Sequence, residues 1–315
     1  MLFNHIFILC QHWVIHVSLY NRQTLGQFFE PLYKAWLVAQ GFSQVPGVNY
    51  FDMFTPVARL ALIQTVLALA AAEDYETGQI NIKVAYLNGE LTSNEVIFMR
   101  QPPGYEESKG QVLRLLKSLY GLKQAGRRWY QKLVEIMTNL GFARCEGDQA
   151  MFYRRSEDKG TFIIVLVHAD DCTIVGKSKK LIECFKTELA KYVDITNLGN
   201  LHWILGIKVH RIHKKWTLLL SQKSYINSIL CCYGFEDLKP ISTPMDPSNW
   251  LTSVQSPSTT EEFTAMQNIP YHKAVSSLMY VTLGIRPDIC FAVQMLSARR
   301  QNYTRFRWSA KSESK

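Results

Sequence analysis

The run TFIIVLVHADDCTIVG, Thr161 to Gly176, holds two apolar stretches parted by a pair of aspartates. Thr161 to His168 is a continuous apolar strand, and Cys172 to Val175 is a second. Ala169, Asp170 and Asp171 between them form the tip of a tight hairpin. Adjacent aspartates at such a tip commonly serve as turn formers and nothing more. Here they interrupt strands of nearly unbroken apolar character, where an unpaired charge is costly to desolvate. Two carboxylates held side by side also repel, unless a divalent cation neutralises them. Asp170 and Asp171 are therefore candidate metal ligands, with the plain turn as the alternative.

Upstream, Val57 to Glu73 (VARLALIQTVLALAAAE) is a strong helix, rich in Leu and Ala. Gln79 to Tyr86 alternates, with Ile80, Ile82, Val84 and Tyr86 on one face and Gln79, Asn81, Lys83 and Ala85 on the other. That pattern predicts a half-buried strand. Pro102, Pro103 and Gly104 mark a loop, and Ser118 to Leu140 reads as one long helix carrying Lys123, Arg127, Arg128 and Lys132. Downstream, a helix is expected from Lys179 to Tyr192 and a glycine-punctuated hairpin from Leu198 to Val209. Asp246 to Asn268 is a polar linker, and a final helix runs from Tyr271 to about Ser297. Helices between short strands, with hairpins instead of strict strand–helix–strand alternation, give an α+β fold.

Composition sets outer limits. A chain of 315 residues, 47% hydrophobic and 19% charged, can bury a sizeable core. Lys and Arg outnumber Asp and Glu by 35 to 26, a net charge of +9 that suits a polyanionic partner. The seven cysteines (10, 145, 172, 184, 231, 232 and 290) form no C-x-x-C pair and no zinc-ligand spacing. Their scatter predicts reduced core residues of an intracellular protein. Met1 to Tyr20 is apolar but broken by Asn4, His5, Gln11, His12 and His16, which reads as neither a signal peptide nor a membrane span.

Several blocks in order resemble copia-type retrotransposon reverse transcriptases, over about Tyr33 to Ala298. YKAWLVAQGFSQVPGVNYFDMFTPVARL (Tyr33 to Leu60) resembles their fingers segment, and QINIKVAYLNGEL (Gln79 to Leu91) their first catalytic strand. IFMRQPPGY (Ile97 to Tyr105) follows as the next loop, and SLYGLKQAGRRWY (Ser118 to Tyr130) looks like the template-and-nucleotide helix. LVHADDCTIVG (Leu166 to Gly176) looks like the catalytic hairpin. The resemblance implies a right-hand polymerase with fingers, palm and part of a thumb. It implies transfer of a nucleotide from a deoxynucleoside triphosphate to a primer 3′-hydroxyl along an RNA or DNA template, with pyrophosphate leaving and two Mg²⁺ ions held by three carboxylates.

Asp170 and Asp171 match the second and third of those carboxylates. The first falls at Asn81, an amide that carries no charge and cannot bridge two cations as a carboxylate does. A weakened polymerase is the expectation, with a nucleic-acid-binding remnant as the alternative. Tyr86 matches a steric gate against the ribose 2′-hydroxyl, or is a core aromatic. Gln124 matches a residue lining the nucleotide pocket. Lys123 and Arg127 could reach backbone phosphates, or form a solvated basic face, and Trp203 lies in the region that matches the grip on the primer terminus, or is plain packing. Trp36 stands where the family usually has an Arg. Expected domains are an unplaced segment 1–30, a reverse transcriptase domain 31–245, the linker 246–268, a helical connection 269–300 toward a ribonuclease H, and a basic tail 301–315. The resemblance also implies a polyprotein fragment in a cytoplasmic setting, with no membrane partner.

Overall fold

Ile63, Val66, Leu67 and Ala70 recur at the three-and-four spacing that puts them on one side of a helix, and all four are buried there. The computed structural model describes residues 8–9, 14–20, 32–101, 104–105, 111–155, 162–246, 259–267 and 269–298. Most of the N-terminal segment, most of the polar linker and all of the basic tail therefore lie outside the described residues. The chain divides into two units, Met1–Leu201 and His202–Lys315.

In the first unit β1 (Ile8–Leu9), β2 (Val14–Tyr20) and β3 (Leu32–Val38) precede α1 (Leu60–Ala72) and β4 (Glu76–Ile82). Then come β5 (Phe98–Arg100), β6 (Val112–Arg114), α2 (Ala125–Asn139), β7 (Ala143–Arg144) and β8 (Met151–Arg155). The unit closes with β9 (Phe162–His168), β10 (Asp171–Gly176), α3 (Lys179–Leu189) and β11 (Ile195–Asn200). Six strands pair antiparallel in the order β11-β4-β10-β9-β8-β7. Ile80, Ile82, Ile163, Val165, Val167, Cys172 and Ile174 meet Trp129, Leu133 and Ile136 of α2 and Ile182, Phe185 and Leu189 of α3 in one core. Strand alternation leaves Ile164, Leu166 and Val175, also buried, on the other face. The fold is α+β, as the patterning predicts.

The second unit holds the three-stranded sheet β12 (Trp203–Ile204), β13 (Ile207–Ile212) and β14 (Thr217–Ser221). It also holds α4 (Lys223–Tyr233), α5 (Thr260–Gln267), α6 (Tyr271–Gly284) and α7 (Cys290–Ala298).

Several expected boundaries shift, each for a local reason. The strand beginning near Gln79 stops at Ile82, because Val84 takes a left-handed backbone (φ 46°) and Ala85–Asn88 form a 3₁₀ turn. The helix expected from Ser118 begins at Ala125. Gly121, at φ 89°, lets the backbone pass so close to Ala39 that a Cβ there would strike the Ala39 carbonyl. The last expected helix is two, since Pro287 holds Arg286 out of the helical region. Gly199 and Asn200 pair with β4 in the first unit, past a bulge at Leu198, so the hairpin of the second starts at Trp203. Among the described cysteines only Cys172 is buried; Cys184, Cys231, Cys232 and Cys290 are exposed, contrary to the core expectation. No described helix is long and apolar enough to cross a membrane.

Candidate active site

The antiparallel register of β4 and β10 sets Asn81 opposite Asp171, and that of β9 and β10 sets His168 opposite the same aspartate. Paired residues point to one face of a sheet. Accordingly the Asn81 Nδ2–H donates to Asp171 Oδ1 at 3.2 Å. A carboxylate only accepts, so the amide must turn its nitrogen, not its oxygen, to Asp171. Asp170 is half-buried in the turn and Asp171 opens β10, exposed. The turn proper is thus Ala169–Asp170, one residue shorter than the expected tip.

Three neutral groups near the tip respond to the negative charge of Asp170 and Asp171. Burial first, then the charge of Asp170, holds the Tyr86 phenol above its ordinary range. Tyr120 is raised by burial, Asp170 and Tyr86 in that order. Burial, reinforced by Asp171 and Asp170, pushes the Cys172 thiol far up, so it is inert as a nucleophile. The rings of Tyr86 and Tyr120 lie 5.0 Å apart at 56°. Ser118, fully buried, donates its hydroxyl to the Tyr86 carbonyl and fixes that turn.

The remaining candidates are distributed differently. Gln124 is 0% exposed, with Oε1 accepting from Gln44 Nε2 and Nε2 donating to the Asn49 carbonyl, both at 3.0 Å. The expected pocket wall is instead a buried tie, because both ends of its amide are engaged inside the protein. Arg127 pairs with Asp52 at 2.7 Å, and Lys123 is exposed. Trp203, 43% exposed, belongs to the second unit and pairs with Lys208 across β12 and β13. Trp36 sits in β3 opposite His16. Sequence reasoning missed Tyr120 and Trp129. Trp129 falls on the periodic apolar stripe of α2, but periodicity does not reveal that its indole N–H reaches the Ala169 carbonyl at 3.0 Å.

The family described as reverse transcriptase (RNA-dependent DNA polymerase) matches residues 10–247. The chain belongs to that reverse transcriptase family. It is 40% identical over 280 residues to the retrovirus-related Pol polyprotein from transposon TNT 1-94 of Nicotiana tabacum, covering 88% of this chain and 21% of that protein. The Pol polyprotein from transposon RE1 of Arabidopsis thaliana is 32% identical, covering 93% of this chain and 19% of that protein. The putative transposon Ty5-1 protein YCL074W of Saccharomyces cerevisiae is 30% identical, covering 69% of this chain and 68% of that protein. This reverse transcriptase domain spans about a fifth of the two plant polyproteins. Apo telomerase from Candida tropicalis overlaps it at TM-score 0.29 and 10% identity, over 66% of this chain and 55% of that one.

Reverse transcriptases use divalent metal ions, and the donor set here fits that chemistry only in part. Asp170 and Asp171 offer adjacent hard oxygens in a patch of negative potential, which suits one divalent cation. The third position does not fit a two-ion cluster, because Asn81 adds no charge and turns a donor toward Asp171. Among the described residues no group of three His, Cys, Asp or Glu side chains could hold an ion.

Proposed function

We propose that this chain is an RNA-directed DNA polymerase domain whose nucleotidyl transfer is crippled at Asn81. The observation that carries the reading is the Asn81–Asp171 contact, at a position where the resemblance implies a carboxylate. In the family, Mg²⁺ ions lower the pKa of the primer hydroxyl and offset charge on the reacting phosphate. Here Asp170 and Asp171 supply two negative charges where three carboxylates are implied. If the missing charge removes ~4 kcal/mol of transition-state stabilisation, the rate falls on the order of 10³-fold.

In this reading the six-stranded sheet is the palm, Tyr33 to Leu60 contributes to the fingers, the three-stranded sheet and α4 of the second unit supply part of a thumb, and α6 and α7 begin the connection. Tyr86 and Tyr120 wall the deoxynucleotide site beside Asp170, while Lys123 and Arg127 meet phosphates of a template–primer. Arg127 is available only when it leaves Asp52. The setting is cytoplasmic.

A second reading, a module that holds nucleic acid without copying it, is favoured by the same amide. The hydrogen bond to Asp171 gives the aspartate a partner that needs no cation. The test is to measure binding to a labelled primer–template beside extension on an RNA template with Mg²⁺. Tight binding with slow extension supports the crippled polymerase, and binding with none supports the second reading. Absence of binding overturns both.

A further inference from the structure

Three carbonyls at the catalytic hairpin each receive a donor from a different part of the fold. The Ala58 N–H reaches the Val167 carbonyl at 3.1 Å, ahead of α1. The Trp129 indole reaches the Ala169 carbonyl at 3.0 Å from α2. The Ile82 N–H, at the end of β4, reaches the Asp170 carbonyl at 2.8 Å. Within this clamp Ala169 has φ 56°, a left-handed conformation that a residue with a Cβ holds only against a steric penalty. Trp129 is almost wholly buried among Tyr130, Leu133 and the sheet, so its ring is fixed by packing.

The geometry points to Trp129 as a positioning residue, whose indole N–H pins the Ala169 peptide in the left-handed turn and thereby aims the Asp170 carboxylate. Asp171 is already held by its ladder partners Asn81 and His168. Asp170 lies in the turn itself, and the peptide before it is the one the indole grips. Without that donor, Ala169 relaxes toward negative φ, and the peptide leading into Asp170 rotates with it. The claim rests on the reading of Asp170 as a cation ligand.

The test uses the whole chain with ¹³C-labelled alanine and a Mn²⁺ titration followed by electron paramagnetic resonance. Trp129→Phe keeps an aromatic ring but removes the N–H. It should shift the Ala169 carbons away from left-handed values and weaken Mn²⁺ binding about tenfold, as loss of a supporting contact does elsewhere. Adding Ala169→Gly should restore Mn²⁺ binding, because glycine holds positive φ unaided. A purely packing role for Trp129 predicts no such rescue. An unmoved Ala169 signal in Trp129→Phe, or a double variant as weak as the single one, overturns the proposal. Should Trp129→Phe fail to fold, Ala169→Gly alone decides: a higher melting temperature with unchanged Mn²⁺ affinity supports the claim, and lost affinity refutes it. Unchanged Mn²⁺ binding in Asp170→Asn would discard the cation reading, while the alanine signal still decides what the indole does.

Discussion

An amide can fill a carboxylate's place without filling its role. Asn81 keeps the shape of aspartate on β4 yet faces Asp171 as a hydrogen-bond donor. Gln124 shows the converse, an amide expected at a pocket wall that ties Gln44 to Asn49 inside the protein. Gln124→Ala would strand a buried amide and a buried carbonyl. It should lower unfolding free energy by roughly 2–4 kcal/mol in a denaturant titration. A nucleotide-binding defect with unchanged stability would return Gln124 to the pocket. The two tyrosines beside Asp170 predict a pH effect. Both phenols are raised above 10.0, so the folded chain favours their neutral forms. Their contribution is complete below the unfolded value and declines as pH climbs through the raised folded values. Phenylalanine at both positions should flatten the alkaline loss of stability seen by chemical denaturation; an unaltered slope would show that other groups govern it. The aspartate pair stood out in sequence by its apolar flanks, whereas alternation gave only the face of Asn81, whose place came from the resemblance. Tyr120 and Trp129 were not legible, since their roles depend on contacts with residues far away in the chain.

Elements were legible where one period ran without interruption. The stripe of α1 and the apolar runs of β9 and β10 end within a few residues of expectation. Errors fell where backbone geometry overrode pattern: Val84 at positive φ ended a strand whose alternation continued, and Gly121 delayed α2. Gly78 illustrates a requirement that only packing exposes. A Cβ there would lie 2.9 Å from Ile182 Cγ2, so α3 seats against β4 because the strand has no side chain at that point. Gly78→Val should therefore destabilise the unit by about 1–3 kcal/mol through overpacking. A thermal melt at the native temperature would show that α3 can move aside.

For the whole molecule, the net charge of +9 suits the proposed template–primer, since phosphate contacts weaken as salt rises. Lys123→Ala should reduce the slope of log affinity against log salt by about 0.9 on a duplex. Arg127→Ala should reduce it less, because Asp52 already competes for that guanidinium. Equal reductions would mean that the ion pair opens on binding. Fold class and family were readable from ordered motifs, whereas the division at Leu201 and His202 was not, because no shift in composition marks it. The most direct test of the central claim is single-turnover primer extension with Mg²⁺, comparing the native chain with Asn81→Asp. A site crippled by the lost charge should gain on the order of 10³-fold in the aspartate variant. Equal rates for the two chains would contradict it.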